Sequence, residues 1–234
     1  MNGYYNFSMI WYLSMILLIP AVIFCSWAQA KVKSNYNKDS KVMNKQGITG
    51  AQAARRMLDA NGLQGIQVLD VRGQLTDNFN PQNNTVNLSS GVYDAPTVAA
   101  LGIACHECGH AIQHAVGYSP LRIRTAIVPV TRIGTTLAIP VFLIGLLMSM
   151  PGLETAGVLL FSLAVIFQAV TLQVEFDASR RALIQLKELE IVTDDEEYEG
   201  TRKVLSAAAL TYVGALLMQL LQLARLILLS RARR

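Results

Sequence analysis

Within five residues, His106-Glu107-Cys108-Gly109-His110, the chain carries the parts of a zinc hydrolase. A helix rises about 1.5 Å per residue, so the two histidines would sit one turn apart on one face. Two imidazoles there can hold one Zn2+ and leave room for a third ligand and a water molecule. Glu107 would lie about 100° around the same helix, where its carboxylate can accept a proton from that water. Cys105 and Cys108 would point about 100° and 200° away from His106, off the metal face, and read as packing residues.

A third ligand must come from elsewhere. His114, the remaining histidine, is eight residues past His106. That is about 12 Å along a helix axis, too far for one ion, so it reads as a surface residue or a neighbour of a ligand. The histidine spacing of metzincins would need a ligand at position 116, which is Val116.

The elements that must position these groups are mostly apolar. The chain has 234 residues, 52% hydrophobic and 15% charged, with the apolar residues in long blocks. That pattern marks an integral membrane protein, expected to be mainly α with about four transmembrane helices and a small α+β zincin-like cytoplasmic region. The net charge of +4 comes from cations that flank the blocks, which argues for a lipid bilayer as partner and against nucleic acid. Three cysteines make no disulfide framework.

Phe7 to Ala28 is an uncharged block long enough to span. No Lys or Arg precedes it and it is longer than a signal core, so residues 1–30 are expected to be an uncleaved anchor. Lys31, Lys33, Lys38, Lys41 and Lys45 follow and place the next loop in the cytoplasm. Residues 31–125 form that cytoplasmic region. Thr49 is expected to cap a helix to about Ala60, with Asn61-Gly62 as its stop. Ile66 to Val71 and Thr85 to Ser89 read as strands, separated by the turn-rich Asn78 to Asn84. The motif helix is expected to open at Asp94 or Ala95 and to run to about Val116.

Residues 126–174 form a transmembrane hairpin with spans near Ile133 to Met150 and Ala156 to Val174, turning at Pro151-Gly152. Arg180, Arg181 and Lys187 then bring residues 175–203 back inside. The acidic run Asp194 to Glu197 reads as solvated surface or linker. Residues 204–234 hold a fourth block, Val204 to Leu229. By crossing count its terminal arginines, to Arg234, would lie outside, against the positive-inside rule. It is therefore either tilted or interfacial, or a span whose weak C-terminal signal is overridden.

Two crossings return Glu175 to the side of His110. A carboxylate at the end of an apolar helix needs a partner, and this one has two readings: a metal ligand, or an interfacial group paired with Arg180 or Arg181. Here a resemblance becomes specific. The motif, a two-span hairpin and Val174-Glu175-Phe176-Asp177-Ala178-Ser179-Arg180-Arg181 resemble the YugP-like family of membrane zinc metallopeptidases. The likeness extends to Leu88-Ser89-Ser90, Tyr118 to Arg122 and Lys203 to Tyr212. More distantly the arrangement is similar to HtpX/Ste24-type membrane gluzincin proteases. The resemblance implies His106, His110 and Glu175 as zinc ligands and Glu107 as general base. Those distant relatives carry an aspartate four residues after the ligand glutamate, where this chain has Ser179, with Asp177 two residues earlier.

The expected activity is hydrolysis of a peptide or membrane-protein substrate at the cytoplasmic face of a bacterial plasma (inner) membrane. Arg180, Arg181 and Tyr212 are candidate oxyanion donors or supports of the ligands, with Asp177. Strand Thr85 to Ser89 is expected to pair with substrate backbone. Gly109 would let another chain approach the motif helix, or only ease packing. Two other readings remain: a site-2-type intramembrane protease, for which the motif helix is too polar, and a non-catalytic metal-binding membrane scaffold.

Overall fold

The computed structural model describes residues 2–232, with side chains described from Met9 onward. In chain order the elements are α1 (Asn2–Ile16), α2 (Ile19–Asp39), α3 (Gly50–Ala60), β1 (Gln67–Val71), β2 (Asn78–Asn80), β3 (Thr85–Ser89), α4 (Ser90–Tyr93), α5 (Val98–Ala115), α6 (Ser119–Leu147), α7 (Pro151–Glu188) and α8 (Asp195–Arg231). Four stretches are helical, long and apolar enough to cross a membrane: Met9–Asp39, α6, α7 and α8. The first is interrupted between α1 and α2, where Pro20 has no N–H to offer Ile16. Arg233 and Arg234, which complete the basic C-terminus, lie outside the described residues.

The helices outrun the spans expected from hydropathy. At 38 residues, α7 is about 57 Å long, against a hydrocarbon core of roughly 30 Å. One continuous helix can therefore cross a bilayer and still carry Glu175 to Glu188 beyond it.

The chain divides into two compact units. One comprises Met1–Trp27, Arg122–Leu172 and Thr211–Arg234. Its core gathers Ala138, Phe142 and Leu146 of α6, Phe161 of α7, and Leu226 and Leu229 of α8, with Trp11 packed against them. Arg225 is buried here, donates to the Ser14 hydroxyl at 3.3 Å and stacks 5.0 Å from the Trp11 ring centroid.

The other unit, Ala28–Leu121 and Gln173–Leu210, holds the motif. Helix α3 opens on a capping box, with Thr49 and Gln52 satisfying each other's backbone N–H groups, and ends at Asn61, as expected. The sheet order is β1-β3-β2, with β1 and β3 parallel and β2 antiparallel to β3. Two corrections follow. Asn78–Asn80, read above as turn, is a strand, pinned where the Asn87 side-chain amide donates to Asn78 Oδ1 at 3.0 Å. Strand β3 is the centre of the sheet and is paired on both edges, so it cannot accept an added strand.

The motif helix also starts later than expected. The residues before it are extended: Asn44 N–H donates to the Pro96 carbonyl, Val98 N–H donates to the Val42 carbonyl, and Met43 bridges Thr97. Thr97 is left as the N-cap, its hydroxyl accepting from Ala100 N–H at 3.3 Å. At the other end Gly117 (φ 62°) closes a Schellman motif, with Gly117 N–H on His114 O and Tyr118 N–H on Gln113 O. Between these stops, Leu101, Ala104, Cys105, Cys108 and Ile112 of α5 join Met57 and Leu58 of α3, Val86 and Leu88 of β3, and Ala182 and Leu186 of α7 in one core.

Candidate metal centre

Helical spacing puts His106 and His110 on one face of α5, their ring centroids 4.8 Å apart. Opposite them stands Glu175 of α7, its side chain almost fully buried. Glu175 Oε2 lies 3.4 Å from His106 Nε2 and 3.5 Å from His110 Nε2. A tetrahedral ion with ligand bonds of about 2.0–2.1 Å needs its donors about 3.3 Å apart. Glu175 Oε2 is therefore spaced from both imidazoles as such an ion would need, the three donor atoms all lie within 4.8 Å of one another, and they form the only His/Cys/Asp/Glu group of this kind among the described residues.

The imidazoles are oriented from behind. Gln113, fully buried, donates its amide N–H groups to the Val174 carbonyl at 2.8 Å and to Asp177 Oδ2 at 2.9 Å. Those two acceptors fix the amide orientation, so the oxygen faces His110 Nδ1 at 3.0 Å. An amide oxygen only accepts, so Nδ1 of His110 carries the proton and Nε2 keeps its lone pair for a metal. Ser179 Oγ lies 3.1 Å from His106 Nδ1 and can accept in the same way. The hydroxyl thus stands where the distant relatives' aspartate was expected.

Asp177 lies on the far side of Gln113 from His110. Arg180 and Arg181 each donate to it at 2.5 Å, and Arg181 stacks 5.6 Å from the Tyr118 ring. The arginines proposed as partners of Glu175 are therefore bonded to its neighbour two residues on. Tyr212 belongs to the other unit, where its carbonyl accepts from Gln168.

Glu107 is buried, and Oε2 accepts from the Phe79 N–H of β2 at 3.0 Å. Burial pushes its pKa above the ordinary carboxylate value, opposed by His106 and His110 and reinforced by Glu175 and Asp77. Asp77 accepts from the backbone N–H and hydroxyl of Ser89, at 2.7 and 3.1 Å, which ties the start of β2 to the end of β3. His114 is exposed, its ring tilted against that of Phe79 at 5.8 Å between centroids, and outside the donor group. Cys105 and Cys108 are fully buried; desolvation raises the Cys105 thiol to about 12, and Cys108 is likewise raised well above its ordinary value. Both are core residues.

The close approach suspected at Gly109 is made by this chain itself. A Cβ there would stand 2.5 Å from the Ala178 carbonyl oxygen of α7. Gln113 and Phe79 were not singled out from sequence. Gln113 shares a helix face with His110 at i+3, a spacing that could have flagged it. Nothing local could have flagged a backbone N–H of β2.

Long apolar helices and a donor set of two histidines and a carboxylate define a membrane protein with a metal-binding geometry. Residues 14–231 match the family described as "Putative neutral zinc metallopeptidase", and the chain belongs to that family. It is 45% identical over 217 residues to a Bacillus subtilis (strain 168) protein named "Putative membrane protease YugP", covering 93% of this chain and 96% of that one. No solved structure matches the chain.

Proposed function

We infer that the protein is a membrane-bound zinc peptidase whose site is His106, His110 and Glu175, with Glu107 as general base. The observation that carries this reading is that Glu175 Oε2 stands 3.4 and 3.5 Å from the two imidazole Nε2 atoms while both Nδ1 atoms are engaged elsewhere. Bound there, zinc would supply Lewis acidity, polarising a peptide carbonyl and making a water molecule more acidic.

The chain's own residues do the rest. Glu107, held by Phe79 N–H, accepts a proton as the water oxygen bonds to the carbonyl carbon. It then delivers that proton to the amine nitrogen as the C–N bond breaks. Arg180 and Arg181 retain N–H groups beyond those given to Asp177 and are the candidates for the oxyanion. Phe79 N–H points to Glu107 instead of β3, so β2 turns its outer edge toward the base, and an extended substrate would pair there. We place the site on the cytoplasmic face of the plasma membrane, with peptides or membrane proteins as substrates, because five lysines follow the first span.

Helix α5 is not among the four helices apolar enough to cross a bilayer, which disfavours an intramembrane protease. The decisive experiment uses the full chain in lipid nanodiscs loaded with zinc. Glu107→Gln should keep the metal and lose peptide hydrolysis by about 100-fold or more. Hydrolysis unchanged in that variant would leave Glu107 no role as base, and no hydrolysis even by the zinc-loaded wild type would favour a metal-binding scaffold.

A further inference from the structure

Helices α7 and α8 wall a cavity of about 440 Å³ that lies wholly within the site-bearing unit. Phe176, Ser179, Arg180, Leu183 and Ile184 line it from α7, at the i, i+3, i+4, i+7 and i+8 spacing of one helix face. Leu205, Ala209 and Leu210 line it from α8. A face so apolar is normally covered, yet Phe176 is 48% exposed and Ile184 43%. Ser179 also stands at His106 Nδ1, so the cavity adjoins the support of a metal donor, while His106, His110 and Glu175 are not among its walls.

Its one charged group indicates what would fill it. Among the described residues that line the cavity, Arg180 is the sole cation and none is a carboxylate; the other polar groups are the hydroxyls of Ser179, Tyr198 and Ser206. The Arg180 side chain is 66% exposed and bonds Asp177 through Nη2, which leaves Nε and Nη1 to donate. Asp177 is shared with Arg181, and one carboxylate balances only one of two guanidiniums. A helical side chain leans toward the N-terminus of its own helix, which on α7 is the uncharged run Thr155 to Val174. That run is long enough to span, so the guanidinium stands about one turn beyond it, where amphiphiles keep their heads. Past Arg180 along the cavity, Leu183, Ile184 and Leu205 are apolar. With a methylene taken as about the size of a water, about 30 Å³, the 440 Å³ holds an anionic head and a chain of about a dozen carbons.

We propose that this cavity binds a single-chain anionic amphiphile, its carboxylate or phosphate head on Arg180 and its alkyl chain between Leu183 and Ile184 of α7 and Leu205 of α8. Both heads offer what a guanidinium reads, a pair of charged oxygens that accept two N–H groups. The amphiphile dissolves in the bilayer and reaches Arg180 along α7 and α8, both apolar enough to cross it. The site does not need a metal at the histidine centre.

The test is photo-cross-linking of dodecanoic acid, with a diazirine on its chain, to the full chain in zwitterionic nanodiscs, the adducts being mapped by mass spectrometry. Adducts should concentrate on residues 176–184 and 198–210, in wild type and His110→Ala alike. Arg180→Gln should lower them by about 10-fold or more, as a hydrogen bond to a charged group is lost, and Arg180→Lys should retain part of the signal. Ser206→Trp, at an exposed wall position, should fill the cavity and lower them as much. Unlabelled dodecanoate and dodecyl phosphate should displace the probe, the stronger of the two naming the head, and methyl dodecanoate should not. Adducts spread evenly along the four apolar helices, or unchanged in Arg180→Gln or in Ser206→Trp, would mean bulk bilayer contact only and overturn the proposal. Methyl dodecanoate displacing the probe as well as dodecanoate does would overturn it in favour of an apolar pocket that reads no charge.

Discussion

Gly109→Ala tests whether the contact between α5 and α7 sets the metal geometry. The added Cβ would meet the Ala178 carbonyl oxygen at 2.5 Å and its Cα and C atoms at 3.1 Å. Reaching an ordinary contact of 3.4 Å requires α7 to withdraw by about 0.9 Å, because the obstacle is backbone and cannot rotate away. Ala178 sits between Asp177 and Ser179 and three residues after Glu175, so the withdrawal carries all three with it. The 3.4 Å donor spacing would open toward about 4.3 Å, whereas a zinc site tolerates errors of about 0.2 Å per bond. We expect zinc affinity to fall by about 10-fold to 100-fold, as when a ligand's supporting partners are lost. Stability has two opposing contributions: Ala favours a helix over Gly by about 1 kcal/mol, and overpacking costs about 1–3 kcal/mol. The net change without metal is therefore about 0–2 kcal/mol destabilising. Competition with a chromophoric chelator measures the affinity, and thermal unfolding with and without zinc separates the two effects. A variant that binds zinc as tightly as wild type and melts higher would refute the reasoning.

Glu175→Gln should weaken zinc binding strongly, since a neutral amide is a poor ligand, while Asp177→Asn should cost about 10-fold to 100-fold; metal analysis showing the reverse order would make Asp177 the ligand. Gln113→Leu removes the acceptor from His110 Nδ1 and should lower zinc affinity by about 10-fold to 100-fold, measured by the same chelator competition, with His114→Ala as the unaffected control. Reporter fusions at Lys45 and Lys187 should report the cytoplasmic side for both, and opposite sides would overturn the topology.

How much was legible in the sequence follows the range of the interactions involved. Spans rest on runs of apolar residues, the start of α3 on its cap Thr49, and the histidine pair on a five-residue spacing; each is a local property that a helix reads out directly. The four apolar helices and the α3 boundaries needed nothing more. Glu175 was reachable by counting crossings, but its place opposite both imidazoles exists only because α7 packs against α5. That packing depends on Gly109 meeting the Ala178 carbonyl, a contact between residues 69 positions apart. Strand β2 and the central place of β3 were likewise decided by pairing, since Asn78 to Asn84 has the composition of a turn until Asn87 and Glu107 supply partners for its polar groups. The support of His110 by Gln113 and Asp177 also exists only in three dimensions, as does the burial of Glu197, 5% exposed within the acidic run Asp194 to Glu197 that reads as solvated surface. Hydrogen bonds and burial are settled by which surfaces the folded chain brings together, and no spacing along it encodes them.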